Sequence, residues 1–314
     1  MTASRLKNVN WPHTVSIREV GPRDGLQNEA PVPVEARIRL VDALSGTGLT
    51  LIEAGAFVHP DAIPPMAGTE DVFAGIERVE GVRYCALVPN AKGAERALGA
   101  GADDLEVVVS ASETHNQRNV RRTVDESVGE ISRVVELARN AAAPVEAVIS
   151  TSFGCPYEGD VDPHRVAALA VRLRDECGVD RLSFGDTTGM ASPKRVTDLL
   201  RALESTGVSP GDARMHFHDT RGSGLANVVT ALEAGVTRYD ASVGGLGGCP
   251  YAPGASGNIA TEDLVHMLED MGVDTGIDLD ALIDAALLAE EIVGRRLPGQ
   301  VMRAGPRTRL AEVG

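Results

Sequence analysis

The chain has 314 residues, 43% of them hydrophobic and 24% charged, which are the proportions of a folded globular protein and exclude a disordered or fibrous one. Its formal net charge of −15 opposes binding to a phosphate backbone or an anionic membrane surface, so neither nucleic acid nor membrane is expected as a partner. The four cysteines, Cys85, Cys155, Cys177 and Cys249, are scattered without a CxxC pair, which argues against a disulfide framework and a cysteine zinc site and fits a reducing, cytoplasmic setting.

In chain order, Met1 to His13 carries neither an apolar signal core nor an Arg-rich amphipathic pattern, and nowhere do roughly 18 apolar residues run together. The first strand is predicted over Thr14 to Val20. A helix follows with Val34, Ile38, Val41 and Leu44 on one face. Strands come next at Leu49 to Val58, Val82 to Val88 and Leu105 to Ser110. A helix then starts at the capping box Thr123 to Glu126 and buries Val124, Val128, Ile131 and Val135. After a strand at Val145 to Ser152, Asp162-Pro163 marks a helix start and Gly178 a helix stop. Strand Arg181 to Gly185, the helix start Ser192-Pro193, and strands Arg214 to His218 and Tyr239 to Val243 complete the series. The alternation ends near Met271; Leu279 to Arg296 reads as additional helix and Pro298 to Gly314 as a polar tail.

Eight strand–helix units form the sequence pattern of a closed parallel barrel, and no GxGxxG follows the first strand, as a doubly wound dinucleotide fold would usually require. The expectation is an α/β protein, a single (β/α)8 TIM barrel over roughly 14–271 with extra C-terminal helices in an extension over 272–314. No linker or composition shift divides the chain.

Active sites of such barrels lie at the C-terminal strand ends, so polar residues there carry the most weight. Arg23-Asp24 follows strand one after Gly21-Pro22, and reads either as an anion-stabilising cation beside a metal ligand or as a solvated turn. His216 and His218 end strand seven two residues apart, so both imidazoles can face one ion; one of them as a satisfied core histidine is the plainer alternative. The segment Gly244 to Asn258 beyond strand eight is rich in glycine. Its lone thiol, Cys249, can move a proton on a closing loop, or the loop can simply cradle a phosphate. Glu53 interrupts an apolar strand two and, if buried, needs a cation, for which Arg23 on the neighbouring strand end is placed. Strands seven, eight, one and two are consecutive around a closed barrel, so Asp24, His216, His218 and Asn258 can share one cavity. Two imidazoles and two oxygens suit Mg²⁺, Mn²⁺ or another borderline divalent cation.

These residues lie in segments that resemble the 3-hydroxy-3-methylglutaryl-CoA lyase family of the DRE-TIM metallolyase superfamily. The matching runs are Glu19-Val20-Gly21-Pro22-Arg23-Asp24-Gly25-Leu26-Gln27-Asn28-Glu29, Gly154-Cys155-Pro156-Tyr157-Glu158-Gly159, Gly185-Asp186-Thr187, His216-Phe217-His218-Asp219-Thr220, Gly245 to Tyr251 and Gly257 to Asp263. The resemblance implies that Asp24, His216, His218 and Asn258 bind a divalent cation and that Arg23 stabilises an enolate. It further implies that Arg23 and His216 meet the substrate, that Cys249 is catalytic and that Glu53 is an active-site carboxylate. The implied reaction is cleavage of 3-hydroxy-3-methylglutaryl-CoA to acetyl-CoA and acetoacetate by a cytoplasmic homodimer.

The chain departs from the family pattern at Arg221-Gly222-Ser223-Gly224, where Tyr-Gly-Gln is more usual, at Ala54 to Pro60, and at Ser150 to Phe153. Such changes bear on the acyl pocket. Three other readings remain: a lyase for another 3-hydroxy-3-carboxymethyl acyl-CoA, of citramalyl-CoA or isohexenylglutaryl-CoA type; an acyl-CoA condensing transferase; and a non-catalytic metal-binding scaffold. The length leaves little room for the transferases' further domain, and a scaffold needs neither Arg23 beside Asp24 nor a thiol in the loop.

Overall fold

The computed structural model describes residues 11–248 and 257–310. Eight strands, β1 (Ser16–Glu19), β2 (Leu51–Ala56), β3 (Arg83–Leu87), β4 (Asp104–Ser110), β5 (Val145–Ser150), β6 (Arg181–Gly185), β7 (Ala213–His216) and β8 (Arg238–Ala241), form a closed barrel. Every pairing is parallel and joins sequence neighbours; β1 closes the ring on β8 through Ser16↔Arg238 to Glu19↔Ala241. Each expected strand is present. The strand-seven expectation overshoots: β7 ends at His216, and His218 lies beyond it in an isolated bridge to Asn258.

The local signals act as physical chemistry requires. Thr123 and Glu126 form a complete capping box for the helix Val124–Asn140. Asp162 accepts from the His164 N–H ahead of Pro163, and Gly178 takes φ 71 where the helical segment ends.

Alternation along the strands divides the residues into two sets. Leu105, Val107 and Val109 of β4 and Leu182 and Phe184 of β6 are buried in the apolar layer shared with helix residues such as Leu40, Val41, Leu44 and Val135. The other set fills the barrel with charge. Arg18 of β1 pairs with Glu106 of β4, with Glu146 of β5 at 3.1 Å and with Asp240 of β8 at 2.7 Å, and Arg214 of β7 pairs with Glu146 at 3.0 Å. All five side chains are at most 4% exposed, so each needs its partners: an unpaired charge here would cost several kcal/mol.

The C-terminal segment differs from the expected polar tail. Leu297, Val301 and Met302 are buried, and Val301–Ala304 is a short helix whose first N–H groups are received by Asp263. Three apolar side chains among the charged ones suffice to pin it over the loop after β8, where the Gly299 N–H donates to the Gly244 carbonyl at 2.9 Å.

Candidate active site at the barrel mouth

Val20 follows β1, its carbonyl receiving three N–H groups, those of Arg23, Asp24 and Gly25, at 3.1, 2.7 and 3.2 Å. The chain therefore coils in a wide π-type turn, Gly21–Gly25, that sets Arg23 and Asp24 side by side at the C-terminal mouth. Glu19, buried just below, accepts from the Gly21 and Val243 N–H groups at 2.7 and 2.8 Å and from the Thr261 hydroxyl at 2.6 Å. One carboxylate thus fastens the β1 turn, the loop after β8 and the following helix. Burial pushes its pKa up to about 7 despite these donors.

Arg23 is an ion-pair partner of three carboxylates: Glu53 at 2.7 Å, Asp24 at 2.7 Å and Glu106 at 3.2 Å. The expected Arg23–Glu53 contact is present, and Glu53 is fully buried. Burial raises the Glu53 pKa, opposed by Arg23 and Arg18. Burial likewise pushes the Glu106 pKa up, with Glu53 adding to the shift and Arg18 and Arg23 resisting it.

Asp24, His216 and His218 bring one ligand atom each to within 4.8 Å of the others. The two imidazoles face each other through their Nε2 atoms at 3.1 Å, and the His216 Nδ1 lies 3.2 Å from Asp240. Asn258 completes the group: its Nδ2 donates to Asp24 at 2.8 Å and to the Leu246 carbonyl at 3.2 Å, and its Oδ1 is buried without a partner among the described residues. The backbone carries it there, because Asp219 donates to the Gly257 carbonyl and Ile259 to the Phe217 carbonyl, tying residue 258 beside residue 218.

The electrostatics favour a cation among these atoms. Burial opposes the charge on Asp24, but Arg23, His216 and His218 hold its pKa down at about 2, so it is anionic. Burial and the neighbouring His216 lower His218 to about 3, which keeps it neutral with a nitrogen lone pair to give. His216 is buried too, yet its bond to Asp240 and the charge of Asp24 raise its pKa. A carboxylate, two imidazoles and an orphaned amide oxygen are the donor set of a divalent cation, and the residues present fit one.

Glu106, Asp240, Arg18 and Asp186 entered no sequence-based site. Asp186, just after β6, accepts from the Met190 and Ala191 N–H groups at 2.7 and 3.0 Å, while its other oxygen is buried without a partner among the described residues. A signal for three of them existed: Arg18, Glu106 and Asp240 each interrupt a strand at a position of the inward set. Cys249 lies outside the described residues, and its placement relative to the cluster is not described.

Fold and site together define a class: a (β/α)8-barrel enzyme with a divalent-cation donor set at the C-terminal mouth, of the kind found in metal-dependent lyases. A family model described as HMGL-like matches residues 14–288. Hydroxymethylglutaryl-CoA lyase YngG of Bacillus subtilis is 48% identical over 291 residues, covering 92% of this chain and 97% of that one. A Pseudomonas aeruginosa protein named 3-hydroxy-3-isohexenylglutaryl-CoA/hydroxy-methylglutaryl-CoA lyase is 45% identical over 288 residues, covering 91% and 95%. Among solved structures, an HMG-CoA lyase from Acinetobacter baumannii in complex with coenzyme A and 3-methylmalate superposes with a TM-score of 0.91 at 44% identity, covering 96% of this chain and 98% of that one. The chain belongs to the HMG-CoA lyase family.

Proposed function

We propose that this chain cleaves (S)-3-hydroxy-3-methylglutaryl-CoA to acetyl-CoA and acetoacetate, as in leucine degradation, using Mg²⁺ or Mn²⁺ held by Asp24, His216, His218 and Asn258. The observation that carries the reading is the meeting of Asp24, His216 and His218 ligand atoms within 4.8 Å beside Arg23. The names of its relatives point to the same substrate.

The reaction removes the proton of the tertiary hydroxyl, breaks the C2–C3 bond and sends the bonding pair into the thioester as an enolate, which is then protonated at C2. Asp24, His216, His218 and Asn258 would hold the divalent cation, which would supply Lewis acidity that lowers the pKa of the substrate hydroxyl. Arg23, rigidly held by Glu53 and Glu106, presents fixed positive charge to the enolate oxygen. Cys249 moves a proton, either onto the enolate carbon or at the hydroxyl. His216 stands beside the reacting end of the substrate.

The long CoA arm has a place to lie. A cleft of about 850 Å³ opens next to Gly247 and Gly248 and is lined by Arg295, Arg296 and Arg303, guanidiniums suited to anionic phosphates. Arg295 also pairs with Glu29 and Arg303 with Glu290, which fixes them at the rim. The three described cysteines, Cys85, Cys155 and Cys177, are free and buried, which supports the cytoplasmic reading. A homodimer is carried over from the family resemblance.

The test is product detection with 3-hydroxy-3-methylglutaryl-CoA, with and without Mg²⁺ or Mn²⁺, for wild type, Cys249→Ala and Arg23→Gln. Metal-dependent acetoacetate and acetyl-CoA from wild type, with both variants impaired, is expected; equal turnover by wild type and Arg23→Gln overturns the mechanism. The 45% identity to the Pseudomonas protein favours one second reading, activity on an isohexenyl-substituted glutaryl-CoA, and a parallel assay with that substrate decides between narrow and broad acyl specificity.

A further inference from the structure

Below the mouth, two carboxylates reach upward from one buried arginine. The Arg18 guanidinium donates to both oxygens of Asp240, Nε to Oδ1 at 2.9 Å and Nη2 to Oδ2 at 2.7 Å, and its remaining nitrogen pairs with Glu106. Asp240 in turn meets His216 Nδ1 at 3.2 Å, and Glu106 meets Arg23 Nη2 at 3.2 Å. Neither carboxylate belongs to the Asp24–His216–His218 cluster. We propose that Asp240 and Glu106, tied together by Arg18, are positioning residues: Asp240 fixes the tautomer and ring orientation of His216, and Glu106 fixes the guanidinium of Arg23.

The argument for Asp240 is one of donors and acceptors. A forked guanidinium holds the carboxylate in one plane, and an ionised carboxylate only accepts hydrogen bonds. The His216 nitrogen facing it must therefore carry the proton, which leaves the Nε2 lone pair directed at His218 and Asp24. At 2% exposure for both Arg18 and Asp240, water cannot substitute for either partner. A histidine ligand whose second nitrogen is bound to a carboxylate is oriented before any ion arrives, and loss of such a partner typically weakens metal binding about 10- to 100-fold.

Glu106 acts on the other branch. It shares Arg23 with Glu53 and Asp24, so the guanidinium is held from three sides and cannot swing away from the thioester end of the substrate. Arg18 joins the branches, so the ligand and the enolate-facing cation are referred to one buried charge.

The proposal rests on the reading of Asp24, His216, His218 and Asn258 as a cation site, and the test separates the two. Metal-free full-length protein is titrated with Mn²⁺ by calorimetry, and the His216 ring tautomer is read from its ¹⁵N shifts in alkaline buffer. Wild type is expected to bind one Mn²⁺ and to carry the His216 proton on Nδ1. In Asp240→Asn the amide NH₂ can donate to Nδ1, so binding should weaken about 10- to 100-fold with the proton moved to Nε2. Glu106→Gln should keep wild-type Mn²⁺ affinity while kcat falls. Wild type carrying the proton on Nε2 overturns the proposal without any variant, as does Mn²⁺ binding by a folded Asp240→Asn that equals wild type. Equal weakening by Glu106→Gln overturns the division into branches. Failure of wild type to bind Mn²⁺ overturns the cation site itself.

Discussion

Gly247 makes room for Asn258: at φ +115, a Cβ on residue 247 would stand 2.9 Å from the Asn258 Nδ2. Both the conformation and the space exclude a side chain there. Gly247→Ala is therefore expected to push the Asn258 amide off Asp24, weakening Mn²⁺ binding together with turnover and costing about 1 kcal/mol or more in stability from backbone strain. Calorimetric Mn²⁺ titration beside a thermal melt checks this; wild-type affinity in the variant would remove Asn258 from the donor set.

Arg23 is the charge on which the enolate account depends. Replacing it by Gln keeps a polar but shorter side chain and deletes the fixed cation, so kcat should fall about 10²- to 10³-fold. The fold should tolerate the loss, because Glu53 and Glu106 already have raised pKa values and can take up protons once their partner is gone. Circular dichroism and steady-state kinetics on the same preparation test the two halves of this statement.

How much of this was legible in the sequence depends on the kind of signal. The strands and their order were readable because short β-rich runs alternate with helical patterns and are set off by caps and turns, and the mouth residues were readable from their places at strand ends. Arg23–Glu53 followed from the cost of burying a carboxylate without a cation. Arg18, Glu106, Glu146, Arg214 and Asp240 were not, because a charge in a strand acquires meaning only when five strands of a closed ring aim at one centre. The C-terminal helix Val301–Ala304 was obscured by the arginines around it, although Leu297, Val301 and Met302 supply the apolar contacts that hold it.

Glu262 makes the stability depend on pH. Its Oε2 accepts from the Gly244 N–H at 2.9 Å, its other oxygen is buried without a partner among the described residues, and burial lifts its pKa to about 8 from an ordinary 4.5. Between those values the folded protein holds a proton that the unfolded chain has released. The contribution is complete below the unfolded value and is lost as pH rises through the folded one. The wild-type melting temperature should accordingly fall from mildly acidic to alkaline buffer, and Glu262→Gln, which can accept the same hydrogen bond without ionising, should flatten that fall. Parallel curves for the two proteins would assign the pH dependence to other groups, Glu19 with its pKa near 7 first among them.

The capping box offers a contrast remote from the chemistry. Thr123→Ala removes the hydroxyl that accepts the Glu126 N–H at 3.0 Å, and should cost about 1 kcal/mol of stability while leaving kcat and KM unchanged. Chemical denaturation and kinetics measure both.

The most direct measurement is an anomalous-scattering map from crystals of the protein grown with Mn²⁺. The account predicts one strong peak bounded by Asp24, His216, His218 and Asn258, with Arg23 alongside. A Mn²⁺ peak elsewhere in the barrel, with these four side chains bonded only to one another, would contradict it.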